Sequence, residues 1–161
     1  MQKLLAMRFG RRFALLGALT ALAMGLMAST AFASVSLSPS GPYEDTGASV
    51  SVSGTSPTSE ANYVAIAVCN LTVTPGERCD GERASELVSV AKYEAGVKLE
   101  LSREFNDWNY TTGEPFETGT ETECENVAGE GDECAVTVSF YKVAGSAVTQ
   151  LTAEAEPITF E

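Results

Sequence analysis

The stretch "YVAIAVCNLTVTPGERC", Tyr63 to Cys79, decides the fold. Its opening residues alternate large and small, with Val64, Ile66 and Val68 on one side of an extended chain and Ala65, Ala67 and Cys69 on the other. A period of two marks a β-strand, and bulk on only one side marks a strand whose sheet buries one face. The strand then runs through a polar Pro-Gly segment to a second cysteine, Cys79.

The same alternation recurs outward from this stretch. Ala48, Val50 and Val52 alternate with Ser49, Ser51 and Ser53; Val97, Leu99 and Leu101 alternate with Lys98, Glu100 and Ser102. In "CAVTVSF", Cys134, Val136, Val138 and Phe140 share a side opposite Ala135, Thr137 and Ser139. Short strands also fit Ser34 to Ser38, Glu86 to Val90 and Pro157 to Glu161, separated by clusters of Gly, Pro, Ser and Asn. The expectation is an all-β, seven-stranded antiparallel sandwich whose core comes from the alternating Val, Leu and Ile positions.

Two stretches read as more than plain connectors. Asn106 to Thr122 is long and polar and holds the single tryptophan, Trp108, together with Tyr110 and Phe116. Glu121 to Glu133 is acidic and glycine-rich. Loops of this length are often functional, and aromatics on a loop are candidates for ligand contact; packing of Trp108 over the end of the sandwich is the competing reading.

Residues 1–33 read as an export signal and residues 34–161 as the domain. Lys3, Arg8, Arg11 and Arg12 precede an apolar run from Phe13 to Met27, and Ala31-Phe32-Ala33 follows as a small-residue cleavage site. The apolar run is shorter than the roughly 20 residues that span a bilayer, so the expectation is cleavage after Ala33 and a secreted product. An uncleaved anchor is the alternative.

All 22 acids follow Ala33 but four of the ten bases precede it, which leaves six bases and a net charge of −16 on the exported part. Such a surface repels nucleic-acid phosphates and anionic headgroups. Neither direct nucleic-acid binding nor membrane attachment is expected after cleavage, and the charge suits a soluble monomer.

Four cysteines in an exported domain read as two disulfides, with three connectivities open. The local pairing, Cys69 with Cys79 and Cys124 with Cys134, is the expectation. The chain has no histidine and no CxxC spacing, which argues against a metal site. Without histidine there is also no Ser-His or Cys-His nucleophile. The carboxylates fall in polar loops and on outward strand positions, with no constellation for a hydrolase, so no catalytic residues are assigned. Asn70-Leu-Thr and Asn109-Tyr-Thr match the glycosylation sequon, a short motif that arises readily by chance.

Taken in order, "SLSPSG", "SVSVSGT", "YVAIAVCNLTVTPGERC", "GVKLELSREF", a second cysteine pair entering a strand and the closing "ITFE" resemble the neocarzinostatin, macromomycin and actinoxanthin family of secreted apoproteins. The resemblance spans nearly all of residues 34–161. It implies an immunoglobulin-like sandwich with a ligand cleft beside a disulfide-pinned hairpin, holding a non-covalent enediyne-type chromophore. In that family the released chromophore, not the protein, damages DNA.

The resemblance places the Cys69–Cys79 disulfide at the cleft floor, and the small side of the strand, Ala65, Ala67 and Cys69, leaves room there for a flat ligand; a loop covering these alanines is the competing reading. Phe105, Trp108, Tyr110 and Phe116 fall in the region that contacts the guest. Leu71 stands where neocarzinostatin has an aromatic, and Ala84 stands at a second such position. Thr137 and Ser139 are candidate hydroxyls for orienting a small hydrophobic aromatic ligand. The alternative function is a secreted structural or adhesive immunoglobulin-like domain without a guest.

Overall fold

The computed structural model describes residues 34–72, 78–109, 114–115 and 121–161. In chain order the strands are β1 (Val35–Ser38), β2 (Ala48–Gly54), β3 (Tyr63–Asn70), β4 (Cys79–Asp80), β5 (Val88–Ser89), β6 (Val97–Leu101), β7 (Glu104–Asn109), β8 (Glu114–Pro115), β9 (Glu121–Glu123), β10 (Cys134–Ala144) and β11 (Ala147–Ile158). One short helix, α1 (Val90–Ala95), lies between β5 and β6. All of these fall within one compact unit, Ala33–Glu161.

The smaller sheet has the order β1-β2-β6 and the larger β11-β10-β3-β4-β7-β8, with β5 also paired to β3 and β9 to β7. All of these pairings are antiparallel. The bulky side of each alternating strand enters one core. Val50 and Val52 of β2 and Val97, Leu99 and Leu101 of β6 pack in one cluster with Val64, Ile66 and Val68 of β3 and Val136, Val138 and Phe140 of β10. The all-β sandwich expected from the sequence is therefore present.

The described residues hold eleven strands where seven were expected: β4, β7, β8 and β9, none longer than six residues, are additional and pair with one another beside β3. The bounds of other elements also depart from expectation. Of Glu86 to Val90 only Val88–Ser89 is strand, because the Ser89 hydroxyl caps α1 by accepting from the Lys92 backbone N at 3.3 Å. The last strand ends at Ile158 and begins far earlier, at Ala147, while Phe160 makes only isolated bridges to Tyr43 and Asn126. Asn106–Asn109, read as loop, continues β7. The Asn70 sequon is closed, since Asn70 is 1% exposed and its amide donates to Thr122.

Helix α1 delivers Tyr93 into the core, edge-on to Phe140 with ring centroids 5.7 Å apart. Gly54 makes room for it, because a Cβ there would collide with the Tyr93 hydroxyl and the Ser34 carbonyl oxygen. That hydroxyl has no hydrogen-bond partner among the described residues. Burial first, and the charge of Glu154 second, push its pKa up to about 12 from 10.0.

The neutral form is thus favoured on folding, so this contribution is complete below pH 10 and disappears as pH rises through about 12. Tyr93→Phe is expected to remove that alkaline loss. It should also raise stability at neutral pH by about 1 kcal/mol, since it deletes a buried hydroxyl without a partner. Urea unfolding at pH 7, 10 and 11.5 reads both effects; a destabilised variant at pH 7 would contradict them.

Candidate functional site

The core takes only one face of the larger sheet, and the strand register fixes what lines the other. Ala65, Ala67 and Cys69 of β3 stand directly opposite Ser139, Thr137 and Ala135 of β10. These in turn oppose Ala153, Ala155 and Pro157 of β11. On the other side of β3, Cys69 faces Cys79 of β4, and Cys79 faces Trp108 of β7. Directly paired residues share a face, so one row runs Pro157, Ala135, Cys69, Cys79, Trp108 across the face turned from the main core, and within it Ala135, Cys69 and Cys79 are buried, at 0%, 2% and 2% exposed. The small floor from Ala65 to Cys69 gives way to a half-buried indole at one end.

The two disulfides have different jobs. Cys124–Cys134, with Cα atoms 5.4 Å apart, lies inside the main core. Cys69–Cys79, with Cα atoms 4.0 Å apart, joins a cross-strand pair on the opposite face and forms a separate apolar cluster with Ala67, against which Ala84 packs. The local pairing expected from the sequence is the one observed. A disulfide on this face staples the strand ends, and its sulfurs join the Ala67 methyl in a small buried apolar cluster.

Trp108 packs over Gly81, which has no side chain to block it. A Cβ at Gly81 would come within 2.7 Å of the Trp108 Cβ and 2.8 Å of its Cγ, so only glycine lets the indole pack at this spot. Thr137 and Ser139 are half-buried and supply hydroxyls beside the alanines.

Of the residues expected at the site, Ala65, Ala67, Cys69, Cys79 and Trp108 come together on this face. Leu71 is half-buried just beyond β3, where its backbone N donates to the Glu133 carbonyl at 2.6 Å. Phe105 is not with them. At 4% exposure it belongs to the main core, because the alternation of β7 puts Phe105 and Asp107 inward and Trp108 outward. Tyr110 and Phe116 lie outside the described residues. Ala135, Ala153, Ala155 and Pro157 were not singled out from the sequence; the Thr-Ala-Glu-Ala-Glu-Pro alternation in β11 was the available signal.

A recess of about 400 Å³ sits at the end of the smaller sheet by Thr46, Ser49, Glu100 and Arg83. Its walls are hydroxyls and charges, and Arg83 is already held by Asp80 at 2.9 Å. It offers none of the apolar character of the disulfide face.

Macromomycin has a solved structure similar to this chain, with a TM-score of 0.55 at 20% sequence identity, covering 80% of this chain and 99% of macromomycin. No family model matches the chain, and no curated protein sequence matches it. The chain thus has the fold expected for the neocarzinostatin type.

Proposed function

We propose that this chain is a secreted, non-enzymatic carrier that holds a flat hydrophobic molecule over the Cys69–Cys79 disulfide and protects it until release. The observation that carries this reading is the second apolar cluster. Ala67, Cys69 and Cys79 gather on the face turned away from the core, beside a half-buried tryptophan. A sheet with no function on its outer side is expected to alternate apolar-in with polar-out, yet this one places methyls, a proline, a disulfide and an indole there.

Apolar burial and stacking on Trp108 supply affinity, and the Thr137 and Ser139 hydroxyls orient the guest. The similarity to macromomycin and the neocarzinostatin-type resemblance suggest an enediyne-type chromophore as that guest, with DNA damage by the released molecule as the antibiotic action. The charge of −16 on residues 34–161 agrees with a protein that does not itself approach DNA.

Mass spectrometry and an absorbance scan of the protein from its native culture medium, kept dark, test the reading. The expected result is a polypeptide beginning at Ser34 with both disulfides intact, plus an aromatic absorber that organic solvent extracts. A clean polypeptide that neither carries nor takes up a flat aromatic molecule would contradict it and favour a structural or adhesive domain.

A further inference from the structure

Directly behind the disulfide and Trp108, the inner face of the larger sheet is not hydrocarbon. Asp107, the residue before Trp108, has a side chain 0% exposed. Its Oδ1 accepts a 2.6 Å hydrogen bond from the Thr122 hydroxyl, which itself accepts from Asn70 Nδ2 at 3.3 Å. Asn70 Oδ1 accepts from the Thr72 backbone N at 2.8 Å. The other carboxylate oxygen of Asp107, Oδ2, has no hydrogen-bond partner among the described residues and lies 3.6 Å from Arg78 Nε.

The position of each member is informative. Asn70 adjoins Cys69, Arg78 adjoins Cys79, and Asp107 adjoins Trp108, so three of the five residues of the outer row, the disulfide and the indole, each have a member of the network as a chain neighbour. Thr122 adds β9, which pairs with β7 at Phe105. A buried carboxylate is costly to desolvate, and a well-packed apolar residue often serves stability as well or better. What a directional network adds is a fixed geometry among the segments that it joins.

We infer that Asp107 is a positioning residue for the outer face: through Thr122, Asn70 and Arg78 it sets the disulfide-linked ends of β3 and β4 and the Trp108 strand at the spacing a flat guest requires. This rests on the carrier reading of that face. The network links the two sides of the floor from beneath and leaves the outer surface apolar.

Trp108 is the single tryptophan, so its fluorescence reports this geometry with no guest present. Asp107→Asn and Thr122→Val are each expected to raise the acrylamide quenching constant of native Trp108 about twofold by freeing the strand locally. Thr122→Ser should restore the original value. The same two variants should weaken binding of acridine, used as a flat aromatic probe, about tenfold, by loss of one buried partner.

Unchanged quenching in both variants would overturn the inference, even if both were less stable, because a purely structural role lowers the melting temperature without moving native-state quenching. If Asp107→Asn does not fold, the Thr122→Val and Thr122→Ser pair decides. If the unaltered protein does not bind acridine, the carrier reading fails for this class of guest while the quenching comparison still decides the network.

Discussion

Phe140→Ala is expected to cost about 4 kcal/mol of folding stability. Phe140 is 0% exposed and sits in β10, the strand bonded to both β3 and β11. Removing its ring leaves a void that hydrogen-bonded strands on both sides prevent from closing, and it strips Tyr93 of its edge-on partner. A loss of this size is a large share of the 5–15 kcal/mol typical of a whole domain, of which about 4 is a quarter or more. Urea unfolding followed by far-ultraviolet circular dichroism reads it. Phe140→Leu, nearer in volume, should cost under about 1.5 kcal/mol. Equal costs for the two variants would mean that β10 is not the spine of the core.

The second large effect is on binding. Trp108→Ala is expected to weaken acridine binding about 30-fold, the consequence of removing a central aromatic anchor worth roughly 2 kcal/mol. Stability should change little, because Trp108 is half-buried and belongs to neither apolar cluster. Calorimetric titration measures the affinity without relying on the deleted fluorophore. Trp108→Phe should recover most of the loss. Acridine binding undiminished in Trp108→Ala would place the guest away from the disulfide row.

These two residues also mark where the sequence was legible and where it was not. Phe140 was readable because "CAVTVSF" alternates without interruption, and a half-buried strand has no other use for that pattern. The division of Tyr63 to Cys69 into bulky and small faces was readable for the same reason, and with it the outward position of Cys69. The register sets Trp108 opposite Cys79, whereas Phe105, expected beside it, packs in the main core.

The cause of that error is physical. Asn106, Asp107 and Asn109 have low strand propensity, so "NDWN" looked like loop, and a loop carries no alternation to separate Phe105 from Trp108. The pairing of β7 with β4 and β9 overrides that propensity. Most of β11, from Ala147 to Glu156, falls outside the expected strand because it lies at the sheet edge, where much of its length is solvated and hydrophobic contrast is weak. The expectation that carboxylates lie in loops and on outward positions fails at Asp80 and Asp107, which are 1% and 3% exposed. Nothing in a sequence so rich in carboxylates distinguishes the two that fold inward beside arginines.

The central claim is that a flat apolar molecule binds the outer face of the larger sheet over Cys69–Cys79. Methyl-detected NMR during titration with acridine tests it most directly. The account predicts saturable shifts at Ala65, Ala67, Ala84 and Thr137, with the methyls of Val50, Val52 and Val97 in the smaller sheet unmoved. Shifts confined to the smaller sheet, or none that saturate, would contradict it.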